Sequence, residues 1–449
     1  MTLRASHPLS RALALLAVVW LAVVAAAGPA VPDALAAEPP TMTARVLLQG
    51  HARLGSWIAI EVHLVNSGPS ISGELRLQGG TQGGTRYSTA VQLDSPSDKT
   101  WILHAQPPSF GQQLEVQLVS GGKVLLREKV AVRFQDPGQL MVGVIAEDSP
   151  GIVGSLTVPN DGRQQPAVIV PLTVADLPTR IEAWSALDRL VWQDVDASSL
   201  TGEQLTALRG WLALGGRLVI VGGTSGIGAL AGFPDDILPY RPTATVDVAP
   251  ASLETLMGSL PKDATDLPAM AGELARGRAL ATSGDRVVAA ETIYGSGAVT
   301  ILGIDPTVDW LADSAAGRSL WSSLIPARTI GAVGMSDDSQ IVTAVSNLPS
   351  LALPPIGGLL LLLGGYIALI GPLNYIVLRR IDRREWAWVT MPILIVAFAV
   401  GSYAFGSALR GSSVIVNEVG IVRGAPDATE GSAQVYLGVF SPSRGTYQV

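Results

Sequence analysis

The sequence predicts a membrane-attached, multidomain chain: an all-β region, then an α/β region, then two apolar helices, then a short β segment. Three observations predict it. Charged residues make up 15% of the 449 positions, against roughly 25% in ordinary soluble domains. Two long uncharged runs stand in the last quarter of the chain. Ahead of them, apolar residues first alternate singly and then form continuous runs, the patterns of half-buried and fully buried strands. The net charge of −7 excludes a basic nucleic-acid surface, and the lack of cysteine excludes disulfides, thiolate metal sites and a cysteine nucleophile.

The N-terminus carries Arg4 and Arg11, an uncharged run Ala12 to Ala27, and small residues ending in "DALAAEPP". Ala34-Leu35-Ala36 fits a signal-peptidase site, so residues 1–37 are expected to be a signal peptide. An uncleaved anchor is the competing reading, because the run is slightly long. Both readings place the following residues outside the cytoplasm.

Residues 42–135 read as all-β. In "WIAIEVHLVN", Ile58, Ile60, Val62 and Leu64 share one face and Glu61 and His63 the other. "GELRLQG", "TWILHAQ", "LEVQLV" and "KVLLREKVAVRF" are further strands, the last two joined by a tight turn at Gly121-Gly122. Short strands at this spacing predict an immunoglobulin-like sandwich. His63 and His104 fall on separate strand-like runs, and no metal is assigned to them.

Residues 139–330 change style. "LMVGVIAED", "PAVIVPLTVADLP" and "DRLVWQDVD" are apolar runs suited to buried strands. "SLTGEQLTALRGWLALGG" predicts a helix with a capping box at Thr201 and Gln204 and a stop at Gly215. "RLVIVGG" returns to the sheet, and "RVVAAETIYGSGAVTILGIDP" predicts two strands around a Gly295–Gly297 turn. A helix in "TVDWLADSAAGRSLWSSLI" closes the region. Alternating strands and helices predict an α/β sheet. The prolines between Phe233 and Asp285 predict an insertion or an irregular connection with one helix, Ser252 to Leu260.

Residues 355–378 and 387–409 are each long enough to cross roughly 30 Å of hydrocarbon as a helix. The loop 379–386 between them carries Arg379, Arg380, Arg383 and Arg384, which places it in the cytoplasm and the large N-terminal region outside. Tyr375, Trp386, Trp388 and Tyr403 suit the two interfaces. Gly357, Gly364 and Gly371 recur every seven residues, allowing close approach of another helix, either the chain's own second helix or a separate membrane protein. Pro372 with Asn374 predicts a kink or helix end. The expected partner is the lipid bilayer, joined by another membrane protein where the glycine face does not pack on the chain's own second helix. Residues 410–449 return to strand-like alternation, the start of an extracytoplasmic β segment.

"VIVGGTSGIGAL" is similar to the nucleotide loop of short-chain dehydrogenases at Gly222, Gly226, Ile227 and Gly228. Such a loop needs a helix directly after it to hold a pyrophosphate. Pro234 and Pro239 stand in its place. No Tyr-x-x-x-Lys pair follows, so the stretch is read as a strand and a turn, and no cofactor is expected.

The order of elements in "DRLVWQDVDASSLTGEQLTALRGWLALGGRLVIVGG", with "YGSGAVTILGIDP" and the Trp321 helix, resembles class I glutamine amidotransferase-like domains over residues 139–330. The joined apolar helices around "GPLNYIVLRRIDRREWAW" are similar to bacterial membrane proteins that carry such a domain outside the cell. The resemblance implies a flavodoxin-like sheet and a nucleophile elbow at which Gly223 takes the position of the cysteine. With no cysteine, and with its histidines at His7, His51, His63 and His104, this chain lacks the Cys–His pair that the resemblance implies. Thr224 and Ser225 offer hydroxyls without a nearby base. Glu147, Asp148, Asp176, Asp194 and Asp305 cluster where strands should end, and so could line a ligand crevice with Gly223. Solvated loop acids and helix caps are the favoured reading for these acids, as for Asp196 and Ser199, which precede a helix. The expected function is a non-enzymatic scaffold or interaction protein, with an extracytoplasmic ligand or glycan sensor and an atypical hydrolase as alternatives.

Overall fold

The computed structural model describes residues 39–53, 55–78, 87–107, 113–136, 138–159, 166–223, 226–326, 339–346, 356–410, 414–424 and 431–441. The expected signal peptide, 1–37, lies outside them. The protein is β-rich, with several sheets plus helices, and carries two apolar helices toward its C-terminal end. It divides into two compact units, one running to Gly50 and then over Ile58–Arg133, the other made of His51–Trp57 and the chain from Phe134.

The first unit holds two antiparallel sheets. One has the order β1 (Thr41–Val46), β3 (Ile58–Asn66), β6 (Ser97–Ala105); the other β5 (Ser88–Leu93), β4 (Ile71–Gln78), β7 (Gln113–Ser120), β8 (Lys123–Ala131). Outside both sheets, β2 (His51–Arg53), which belongs to the second unit, pairs with β9 (Arg133–Gln135), where the chain passes into that unit. Alternation decides which face is buried: Ile60, Val62 and Leu64 are fully buried, as are Leu75, Leu93, Leu103 and Leu118 from other strands. Asn66 ends β3 by folding back on the next turn. Its Nδ2 donates to Pro69 O at 2.9 Å and Asp94 O at 3.1 Å, while its Oδ1 accepts from Gly68 N–H at 3.1 Å. The β7–β8 turn falls at Gly121 and Gly122, both with positive φ, the geometry that a two-residue hairpin requires.

The second unit is built on a nine-stranded mixed sheet. Five strands run parallel in the order β11 (Val168–Pro171), β10 (Met141–Ala146), β12 (Arg189–Gln193), β13 (Arg217–Val221), β18 (Gly297–Leu302). Antiparallel pairing then adds β17 (Arg286–Tyr294), β15 (Leu267–Leu274) and β14 (Tyr240–Val248), with β16 (Arg278–Ser283) also on β17. Val142, Val144, Val191, Val219, Val299 and Leu302 are almost wholly buried, consistent with the continuous apolar runs of parallel strands. Helix Gly202–Ala213 starts at the capping box: Thr201 Oγ1 accepts from Gln204 N–H at 3.2 Å, and Gln204 Oε1 accepts from Thr201 N–H at 3.0 Å. The Gln204 amide also donates to Val174 O and Leu177 O, both at 2.9 Å, so one residue caps its helix and ties it to the preceding loop. Arg53 and Asp188 form a two-pronged ion pair at 2.5 and 3.1 Å with side chains only 10% exposed, and Asp188 also accepts from Met141 N–H at the start of β10. The extra hydrogen bonds from Arg53 to Ser185 O and Gln139 O offset the cost of burying the charges.

Two expectations need correction here. Of the two readings of the stretch from Phe233 to Asp285, the irregular connection does not hold, because β14, β15 and β16 lie within it and widen the sheet. Pro242 is accommodated at a register shift between Pro242 and Ala244, where the ladder does not need its missing N–H. The expected helix Ser252–Leu260 shrinks to a 3-10 turn Pro250–Leu253 and a single α-helical turn Glu254–Met257, ended by Gly258 at φ 67°. Tyr240, fully buried, holds this addition to the sheet from inside: its hydroxyl lies 3.2 Å from Met270 O and 3.1 Å from Val288 O. Burial raises its pKa well above the ordinary tyrosine range.

The first apolar helix runs Ile356–Arg380 and the second Arg384–Ala404, each long and apolar enough to cross a membrane. Pro372 does not end the first. It sits in a π-helical turn, Leu369–Leu373, that absorbs the missing hydrogen bond, and the α-helix resumes over Asn374–Arg380. The rings of Tyr366 and Phe398 meet between the helices with centroids 4.9 Å apart. Beyond them β19 (Ile415–Gly424) and β20 (Gly431–Phe440) form an antiparallel hairpin.

Candidate functional site

The five parallel strands bring their carboxyl ends to one edge of the sheet, the place where open α/β sheets form ligand crevices. Glu147 and Asp148 follow β10, Asp194 follows β12, Gly223 lies two residues beyond β13, and Asp305 follows β18. Asp176 belongs to a 3-10 turn beyond β11. Thr224 and Ser225 lie outside the described residues.

Most of these acids are engaged in holding turns. Asp148 is the N-cap of helix Ser149–Ser155 and accepts from Gly151 N–H at 3.3 Å. Asp176, 1% exposed, accepts from the Thr173 N–H and hydroxyl, both at 2.8 Å. Asp305 Oδ1 accepts from Thr307 N–H at 2.9 Å and the Thr307 hydroxyl at 2.7 Å. Asp196 caps the next turn. The Ser198 hydroxyl, then its backbone N–H, hold the carboxyl below the usual carboxylate range. Glu147 is exposed. Among the described residues, no group of three or more His, Cys, Asp or Glu side chains is placed to hold a metal ion.

The centre of the edge is a residue that the sequence reading passed over. Gln193, at the end of β12 and 4% exposed, donates from Nε2 to Gly222 O at 2.8 Å and to Asp305 Oδ1 at 3.1 Å. It thereby joins the ends of β12, β13 and β18. Its signal in the sequence was a lone amide closing the apolar run "RLVWQ". Asp194 follows with φ 56°, a left-handed conformation that turns the chain sharply. Its carboxylate lies against Gly223 so closely that any Cβ there would overlap it. Gly222 is walled by backbone instead: its N–H donates to Leu302 O and Ile304 O at 2.8 and 3.0 Å, and a Cβ would overlap the Gly303 carbonyl. The elbow therefore has glycines because neighbours occupy the space that side chains would need.

The helix glycines differ. A Cβ on Gly357, Gly364 or Gly371 would meet nothing within 4 Å, so none is in close contact with the second apolar helix.

The class of protein these features define is a β-rich chain of several sheets with two apolar helices long enough to cross a membrane. A family described as a domain of unknown function, DUF8726, matches residues 39–133, within the first part of the chain. No curated protein matches. Solved structures are similar over parts of the chain. The CARDB domain of the PF1109 protein from Pyrococcus furiosus, solved with di-metal ions, is 18% identical, with 22% of this chain and 90% of that one covered and a TM-score of 0.18. The exo-beta-1,4-mannosidase Op5Man5 from Opitutaceae bacterium strain TAV5 is 12% identical, with 42% of this chain and 36% of that one covered and a TM-score of 0.27. At these scores neither carries an argument about function.

Proposed function

We propose that the protein is a non-enzymatic, membrane-anchored scaffold or interaction protein of the bacterial cell envelope, whose mixed-sheet unit is a degenerate relative of amidotransferase-like domains. The carrying observation is the Asp194–Gly223 contact: a carboxylate fills the space that a side chain at position 223 would need. The chain has no cysteine, and its histidines all precede β10. The order β11-β10-β12-β13-β18 is 2-1-3-4-5 in order of appearance, the order of flavodoxin-like sheets, which supports the finer fold reading. The two antiparallel sheets of the first unit support an immunoglobulin-like sandwich in the same way. In this reading the apolar helices span the bilayer, the arginine-bearing turn faces the cytoplasm, and the sheets lie outside.

The test is purification of the full chain from membranes in mild detergent, followed by assay of ammonia release from glutamine and simple amides. The expected result is a chain extracted only by detergent, co-purifying with a membrane partner and releasing no ammonia above the blank. Ammonia release that is lost in Asp194→Asn would overturn the non-enzymatic reading. Recovery as a lone monomer that binds a small molecule at the Gln193–Asp305 edge would replace it with a sensor.

A further inference from the structure

Between the apolar helices lies a groove of about 320 Å³, lined by Leu369, Leu373, Asn374, Thr390 and Leu394 among others. Asn374 is 8% exposed, yet among the described residues its Nδ2 has no hydrogen-bond partner, and neither does the Thr390 hydroxyl. A second groove shares Leu369 and Leu394 with the first and continues past Leu362, Ala397 and Gly401. Both linings are almost wholly apolar, and Ser402 belongs to the second. The two together form a largely apolar track whose first end carries the polar groups of Asn374 and Thr390.

The polar end lies toward the basic turn. Asn374 precedes Arg379 by about 7.5 Å of helix, and Thr390 follows Arg384 by about 9 Å, at 1.5 Å per residue. Arg379, Arg380, Arg383 and Arg384 are exposed there, with Asp382 and Glu385 the acids among them. An amide N–H held in hydrocarbon without an acceptor is costly, so the occupant must present an acceptor oxygen. A lipid acyl ester presents such an oxygen at the head of an alkyl chain, at the depth where the track meets the basic turn.

We propose that this track binds one anionic glycerophospholipid. An ester oxygen accepts from Asn374 Nδ2 and the Thr390 hydroxyl, one acyl chain lies along Leu369, Leu394 and Gly401, and the phosphate sits among the four arginines, where cationic turns beside membrane helices attract anionic lipid. The proposal rests on the reading of both helices as membrane-spanning.

Native mass spectrometry of the delipidated full chain in detergent tests it, with phosphatidylglycerol and phosphatidylcholine of identical acyl chains as probes. The expected result is one retained phosphatidylglycerol, preferred about tenfold over phosphatidylcholine. Asn374→Leu should lower retention of both lipids. A variant with all four arginines changed to Gln should keep retention but lose the preference. Unchanged far-UV circular dichroism separates these effects from misfolding. Equal retention of both lipids by the unaltered chain, or no retained lipid, overturns the proposal, as does a two-chain species that Asn374→Leu dissociates. If the chain stays soluble without detergent, the membrane reading itself fails. If it needs detergent but holds no lipid, only the present inference fails.

Discussion

At the end of β13 a side chain on Gly222 would overlap the Gly303 carbonyl, and one on Gly223 would overlap the Asp194 carboxylate. In the first apolar helix a side chain on Gly357, Gly364 or Gly371 would meet nothing within 4 Å. The same residue type thus answers opposite conditions. At the sheet edge glycine is the residue that fits between groups already in place. In the helix it leaves a surface that no described part of this chain covers closely. A glycine motif read by letters alone cannot distinguish these, which is why "VIVGGTSGIGAL" resembled a nucleotide loop while its geometry is set by close neighbours.

Substitutions can break the contrast, beginning with the position walled by backbone. Gly222→Ala forces backbone apart from backbone and should destabilise the second unit by about 3 kcal/mol, read as a lowered thermal midpoint in detergent. Gly223→Ala meets a side-chain carboxylate that can turn away, so about 1–2 kcal/mol is expected. Adding Asp194→Ala should recover part of the loss, and a double variant no more stable than Gly223→Ala would show that the carboxylate is not the obstacle. Gly364→Ala should leave the midpoint within about 0.5 kcal/mol of the original, and a large loss would mean that the helix face is covered after all. The smallest effect is local. Because the Asp196 pKa is lowered on folding, its cap is present above the ordinary carboxylate range and is lost as pH falls through the lowered value. The protection of the Ser198 amide, its exchange rate taken relative to the intrinsic rate at each pH, should therefore fall on acidification, and Asp196→Asn should remove that dependence.

What was legible in the sequence was local. The Gly121-Gly122 turn, the Thr201–Gln204 capping box, the Gly295 turn and the two apolar helices each depend on residues within a few positions of one another. β14, β15 and β16 were missed because their order comes from partners far along the chain and because Pro242 sits inside one of them, tolerated only at a bulge. The acids of the sheet edge are legible by position and as turn-holding and capping groups, because each partner is within three residues: Asp148, Asp176 and Asp305 satisfy nearby N–H groups. Gln193 was missed because a single amide in an apolar run shows its purpose only when β13 and β18 are set beside it.

The pairing of β13 with β18 has a kinetic consequence. Arg217 lies opposite Ala298, so roughly eighty residues must be made before β13 gains its second neighbour. Until then its open edge is a strand without a partner, the kind of surface that chaperones shield and that aggregates when they do not. β14 to β17 all fall inside that interval. Folding of the sheet should therefore be slow and governed by closure of this long excursion, whatever the final stability.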